Sequence, residues 1–392
     1  MIRSFTHSFS HWDIFCTVID NFGDIGVTWR LAKQLSDDFN IQVTLWVDCL
    51  DSFQCILPSL DPNLTTQHHQ GITIEHWQSP FVKTWRPGQV LIEAFACELP
   101  ESLIRHRHTL TQPPVWINLD YLTAESWIDD CHGLASLLSD GQQRYFFFPG
   151  FSSKSGGLIC EHELFKQQTM WLNDAHAQHH WLTHLGFTQL THKEVNATYI
   201  SVFSYPSPAL TALSHYWQQS TEPTHLFVPY GKSLESLQWI LNADEAEFII
   251  GHSYQANNLH VHVLPMTTQE EFDKLLWYCD INIVRGEDSF LRAQWAKKPF
   301  IWHIYPQEEN AHIDKLSAFM THYCASLPHN AAQSWQSLCL TFNQGNTQAS
   351  VDAWVSFIQH HQVLEKHAKK WPKQALNESD LATRLVNFVK KS

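Results

Sequence analysis

The chain has 392 residues, 44% hydrophobic and 16% charged, which suits two or three domains with large cores. Its formal net charge is -14, from 25 Lys+Arg against 39 Asp+Glu with no basic run, so nucleic acid is not an expected partner. Nine cysteines without C-x-x-C or disulfide spacing, no run of membrane-span length and no apolar core in the first residues predict a cytoplasmic protein with neither signal peptide nor membrane span.

Residues 13–19 form an apolar-rich run that predicts a strand. Residues 27–35 carry helical periodicity, and residues 42–47 read as the next strand, so a parallel βαβ unit opens the chain. The connecting loop is Asp20-Asn21-Phe22-Gly23-Asp24-Ile25-Gly26. It is not G-x-G-x-x-G, and a dinucleotide phosphate would meet the carboxylates of Asp20 and Asp24 there, with only Arg30 nearby to offset them. A cationic substrate group fits that loop better. Taken singly, Asp24 also reads as a helix N-cap and Asp20 as a strand end.

Further strands are predicted at 72–77, 90–96 and 115–120, the last leading to Tyr121 and Glu125. The aromatic run 145–151 reads as core, and 152–157 as a loop. Helices from about 160 to 185 lead to a second α/β pattern. Its strands are expected at 198–203, 225–229 and 259–264, and its helices at 209–218, 232–241 and 269–278. Tyr230-Gly231-Lys232-Ser233 lacks the earlier glycine of a phosphate loop, since Leu226 stands there. The 26 histidines are scattered without zincin spacing, because Lys166 occupies the second ligand position after His162-Glu163, and no metal is assigned.

The most informative stretch is 280–312. A buried strand at 280–284 is followed by Arg285-Gly286-Glu287-Asp288-Ser289, a helix from Phe290, and a second strand at 300–304 ending in Tyr305 and Gln307. In a parallel sheet, ligands sit at the carboxyl ends of strands, where these polar residues fall. Ser289 is a predicted N-cap, the helix start offers N–H groups to an anion, and Arg285 suits a diphosphate. Glu287 and Asp288 suit sugar hydroxyls or orient Arg285; a simpler reading makes Glu287, Asp288 and Ser289 helix-capping residues only. Helices are expected from about 350 to the end.

An anion and hydroxyl cluster in one α/β domain and a carboxylate loop in the other predict a GT-B glycosyltransferase, with two Rossmann-like domains facing a central cleft. Residues 1–180 would form the acceptor-binding domain and 181–359 the nucleotide-sugar donor domain. Helices at about 360–392 are expected to pack back on the first.

Two long motifs carry a resemblance that spans essentially the whole chain. The segment 13–30, Asp-Ile-Phe-Cys-Thr-Val-Ile-Asp-Asn-Phe-Gly-Asp-Ile-Gly-Val-Thr-Trp-Arg, and the segment 285–307, from Arg-Gly-Glu-Asp-Ser-Phe to Ile-Tyr-Pro-Gln, closely resemble the bacterial protein-arginine rhamnosyltransferases that modify translation elongation factor P. The resemblance implies inverting transfer of L-rhamnose from dTDP-β-L-rhamnose to an arginine of that factor. It implies that Asp20 and Asp24 face the acceptor, and that Arg285, Glu287, Asp288 and Ser289 hold the donor. It further places Tyr305 near the diphosphate, Gln269 at the nucleotide, and Phe203, Tyr205 and Phe272 around the thymine. Met266 stands where an aromatic usually follows Leu-Pro in the family.

The chemistry suits these residues. The leaving diphosphate gains charge that Arg285, Tyr305 and helix N–H groups can stabilise without a metal or cofactor. Arginine has a pKa above about 12, so a carboxylate must orient the guanidinium and take its proton as the C–N bond forms. Asp24 is assigned as that base and Asp20 as its orienting partner, though the two could exchange roles. A nucleotide-sugar epimerase of the same fold and a non-enzymatic dTDP-sugar sensor are the alternative readings.

Overall fold

The computed structural model describes residues 11–19, 22–78, 85–137, 141–190, 192–242, 247–307 and 311–391. It divides into two compact units, Met1–His162 with Ala375–Ser392, and Glu163–Gln374.

The first unit runs β1 (His11–Cys16), α1 (Gly23–Phe39), β2 (Gln42–Val47), α2 (Leu50–Gln54), β3 (Thr66–His69) and β4 (Ile72–His76). It continues with β5 (Val90–Ala94), α3 (Glu101–His108), β6 (Val115–Leu119), α4 (Ile128–Cys131), β7 (Ala135–Leu137) and β8 (Gln143–Phe147). The sheet order is β3-β4-β2-β1-β5-β6-β8-β7. All neighbours are parallel except β3 with β4 and β7 with β8. The parallel strands therefore follow the doubly wound order 3-2-1-4-5-6. Their apolar runs are explained by burial on both faces: Ile14, Leu45, Leu91, Ile92 and Ile117 are fully inaccessible. The order reverses between β1 and β5, and the carboxyl ends of those two strands are where sheets of this order bind ligands.

The antiparallel edge strands β3 and β7, like Ser253–Ala256 at the edge of the second sheet, escaped the sequence reading: β3 and Ser253–Ala256 are polar, and β7 is only three residues long. β3 reads Thr-Gln-His-His, and it joins β4 through Gln70 (φ 50°) and Gly71 (φ 80°). Both turn residues are left-handed, as a tight hairpin requires. The aromatic run at 145–151 is partly a strand, β8. Its Phe147 is fully buried and meets the ring of Phe388 edge-on at 5.9 Å.

The second unit runs α5 (Leu164–Leu172), α6 (Ala175–His184), β9 (Thr198–Val202), α7 (Pro208–Gln218), β10 (Thr224–Pro229), a 3₁₀ helix (Lys232–Ile240), β11 (Ser253–Ala256) and β12 (Leu259–Leu264). Then come α8 (Gln269–Tyr278), β13 (Ile281–Arg285), α9 (Glu287–Trp295), β14 (Phe300–His303), α10 (Ala311–Cys324), α11 (His329–Asn343), α12 (Thr347–Gln359) and α13 (His361–Leu376). The sheet order β11-β12-β10-β9-β13-β14 is again doubly wound, with β11 antiparallel at the edge. Here the order reverses between β9 and β13.

The unit boundary falls earlier than the expected 180/181. The reason is packing: Trp181, Leu182 and Leu185 share a core with Tyr199, Phe227 and Tyr278, which ties α6 to the second sheet. At the far end α13 stays with the second unit, its Trp371 indole donating to Gln294 Oε1 at 2.7 Å. The last helix, α14 (Leu381–Val389), joins the first unit. Its Leu381 N–H donates to the Leu158 carbonyl at 2.8 Å, and Arg384 donates to the carbonyls of Ser152 and Ser155 at 3.1 and 2.9 Å.

Candidate functional site

Each unit places polar residues at the carboxyl ends of the strands where its order reverses. In the second unit β9 leads to Phe203 and Tyr205, and β13 ends at Arg285. The Arg285 guanidinium lies over both rings, 4.5 Å from the centroid of Phe203 and 4.8 Å from that of Tyr205. Such contacts contribute roughly 0.5–2 kcal/mol each, and they hold the guanidinium plane against a rigid aromatic surface. Phe272, from α8, meets Phe203 at 5.6 Å, and Tyr305 meets Tyr205 at 5.6 Å. Tyr305 is 57% exposed and Met266 39%, so both offer apolar surface to solvent at this end of the sheet.

Helix α9 starts earlier than expected. Gly286 precedes it with φ 66° and ψ -171°, a backbone state essentially reserved for glycine. Glu287, Asp288 and Ser289 therefore form its first turn, and Ser289 is not the N-cap. The acids favour this position because they face the positive end of the helix dipole. Gln269, the first residue of α8, is buried and donates from Nε2 to Asp288 Oδ2 at 3.2 Å. The two helices are tied again beneath the site by the buried pair Arg292–Asp273, at 2.9 and 2.6 Å.

The sequence reading missed His303, which pairs with Arg285 in the β13–β14 register. Its ring packs edge-on against Tyr205 at 5.4 Å and against Phe342 at 5.1 Å. Burial first, then the charges of Arg285 and His312, lower its pKa to about 4. Arg285 thus has a neutral imidazole behind it at physiological pH. An apolar strand hid this histidine, and its place at the strand end was the available signal.

In the first unit Asp24 lies in the first turn of α1, one residue inside the helix and not at its N-cap, Phe22. Its carboxylate is buried. Oδ2 accepts from the Ile19 N–H at 2.9 Å and Oδ1 accepts from the Tyr121 hydroxyl at 3.1 Å. Tyr121 follows β6 and stacks on Phe95, which follows β5, at 4.5 Å and 19°. Arg30 is buried and pairs with Glu161 at 3.5 Å. Asp20 lies outside the described residues. Among the described residues no group of three or more His, Cys, Asp or Glu side chains is placed to hold a metal ion. Nor, among them, is any helix long and apolar enough to cross a membrane.

The arrangement offers a charge-stabilising end in one unit and, in the other, a carboxylate that accepts from the Ile19 N–H and the Tyr121 hydroxyl. A family profile described as elongation-factor P (EF-P) rhamnosyltransferase EarP matches residues 12–390. A protein-arginine rhamnosyltransferase of Shewanella oneidensis is 49% identical over 391 residues, covering 98% of each chain. One from Pseudomonas putida is 41% identical, covering 97% of this chain and 99% of the relative. A solved structure described as the structural basis for EarP-mediated arginine glycosylation of translation elongation factor EF-P superposes with a TM-score of 0.68 at 30% identity, over 98% of this chain and 99% of that one. Phytolacca americana UGT2 bound to UDP-2-fluoro-glucose and pterostilbene shares the fold alone, with a TM-score of 0.50 at 11% identity over 97% of this chain and 99% of that one.

Proposed function

The chain belongs to the EF-P rhamnosyltransferase family and has the GT-B fold of glycosyltransferases, and from that premise we propose that it transfers L-rhamnose from dTDP-β-L-rhamnose to an arginine of translation elongation factor P. The transfer inverts the anomeric carbon, needs no metal or cofactor, takes place in the cytoplasm and activates the factor for translation.

The observation that carries this reading is the placement of Arg285. It stands where the second sheet reverses its order, over the rings of Phe203 and Tyr205, beside the first turn of α9. A departing diphosphate there meets a fixed guanidinium, helix N–H groups and the Tyr305 hydroxyl, which stabilise charge as it develops. Phe203, Tyr205 and Phe272 supply the aromatic wall for the nucleoside, with Gln269 at its edge. Glu287, Asp288 and Ser289 face the sugar. Asp24 takes the guanidinium proton as the nitrogen attacks, and Asp20 orients the acceptor. Because arginine stays protonated in water, deprotonation accompanies bond formation.

The test is the intact mass of elongation factor P after incubation with the enzyme and dTDP-rhamnose. The factor should gain one rhamnose, and the gain should survive dialysis of the enzyme against EDTA. Donor conversion without a mass gain would make the chain an epimerase, and binding without turnover a sensor. Loss of activity on chelation, restored by Mg²⁺ or Mn²⁺, would overturn the metal-free mechanism.

A further inference from the structure

Resting on the assignment of Asp24 as the proton-accepting carboxylate, we propose that Tyr121 is the positioning residue for that carboxylate. The Tyr121 hydroxyl donates to Asp24 Oδ1 at 3.1 Å, and the Ile19 N–H donates to Oδ2 at 2.9 Å. The two donors come from different strand ends, after β6 and after β1. Contacts to both oxygens from two directions restrict rotation of the carboxylate plane about χ2.

Tyr121 is itself held by strained backbone. Its ring stacks on Phe95, and Phe95, Ala96 and Glu98 adopt φ of 57°, 51° and 46°. Left-handed backbone at three non-glycine residues within four positions is unfavourable and persists only where the surroundings over-determine it. Those surroundings are visible. The Phe95 N–H donates to the Leu119 carbonyl at 2.7 Å, and the Thr17 hydroxyl donates to the Cys97 carbonyl at 3.3 Å. The segment after β5 is thus pinned to both neighbouring strand ends, and it presents Phe95 as a platform for Tyr121.

Exposure divides the pair: Asp24 is 2% exposed and Tyr121 40%. In the transfer, one guanidinium N–H proton moves to a carboxylate oxygen of Asp24. The nitrogen lone pair forms the bond to the anomeric carbon, and the bond from that carbon to the diphosphate oxygen breaks with its electron pair. Tyr121 keeps its own proton and remains a donor to Asp24 throughout. It acts by limiting the carboxylate to the orientation the transfer uses, an effect on the chemical step and not on the donor.

The experiment is a double-mutant cycle of Tyr121→Phe and Asp24→Asn, read by steady-state kinetics on elongation factor P together with thermal melts. Phenylalanine keeps the ring on Phe95 and removes only the hydroxyl. The expected result is a fall in kcat of about 10- to 100-fold, with donor KM within about twofold and an unchanged melting temperature. In the Asp24→Asn background the same change should cost less than about twofold, because the carboxylate it positions is gone. Wild-type kcat in Tyr121→Phe, an equal loss in both backgrounds, or a loss accounted for by early melting would overturn the proposal. If Asp24→Asn turns over like wild type, the base assignment falls and takes this inference with it. If Asp24→Asn is impaired while Tyr121→Phe is not, only the inference about Tyr121 falls.

Discussion

The Arg285 side chain has two tasks that a lysine could not share. Its planar guanidinium lies against Phe203 and Tyr205, and the same plane can present paired N–H donors to a diphosphate. Arg285→Lys keeps the charge and loses the plane. We expect donor affinity to fall by about tenfold or more, and transfer to slow further, since part of the lost contact strengthens only as charge builds on the leaving group. Arg285→Ala should be worse on both counts. Calorimetry with dTDP alone, run beside a thermal melt, decides the matter. A variant that melts early yet binds dTDP normally would make Arg285 a loop-holding residue. Arg285 was readable in the sequence because a cation after an apolar strand and before a helix has few structural uses. Tyr121 was readable only as the residue after a strand. Its hydrogen bond to Asp24 spans 97 positions, and no local pattern predicts such a pair.

At the scale of elements, the donor end depends on how α9 begins. Gly286 lets the chain turn from β13 straight into the helix, and its carbonyl accepts from the Trp302 indole at 3.1 Å. A Cβ at Gly286 would meet nothing within 4 Å, so the cost of Gly286→Ala lies in the backbone at φ 66°. That conformation costs a non-glycine residue about 1–3 kcal/mol. We expect Gly286→Ala to lower the melting temperature and to weaken dTDP binding, because the first turn carrying Glu287 to Ser289 must shift. Unchanged melting and unchanged dTDP affinity would show that the early start of α9 is not needed. The expected start after Ser289 followed from serine's capping preference, which loses here to a glycine three residues earlier. The reverse-direction edge strands β3 and β11 were unreadable for a different reason: they pair on one side only, and their polar residues carry no apolar pattern.

Across the whole molecule, histidines that lose water on folding weaken the fold in acid, against the opposite contribution of Asp13 and Glu93, whose carboxyl pKa values burial raises. Burial, with Arg384 nearby, lowers His132 to about 4. Burial and the neighbouring His260 lower His225 to about 4; burial, His225 and His260 lower His262 to about 3. With His303, four histidines therefore stay neutral in the fold but would take protons near pH 6.5 once unfolded. The unfolded state then binds more protons below pH 6.5, and stability falls as pH drops from about 6.5 towards 4. Each can contribute up to about 1.4 kcal/mol per pH unit in that window and nothing above it. Melting should be flat from pH 7 to 8 and markedly lower at pH 5. His132→Gln, whose side-chain oxygen can accept from the Phe148 N–H in place of Nδ1, should shallow that slope. An identical slope in the variant would remove His132 from the account.

The sequence by itself determined the class of fold and the location of the chemistry. Apolar runs of strand length alternating with helical periodicity imply parallel sheets, and parallel sheets put their ligands at carboxyl strand ends, so Asp24 and Arg285 stand out from the sequence alone. Tertiary structure alone decided the partners. That Arg285 lies against Phe203 and Tyr205 follows from β9 and β13 being neighbours, although their paired residues Ile200 and Ile281 stand 81 positions apart in the chain. That Asp24 meets Tyr121 follows from β1, β5 and β6 lying side by side. Strand order is set by which apolar faces bury together over long loops, and one sequence pattern is compatible with several orders until the sheet assembles.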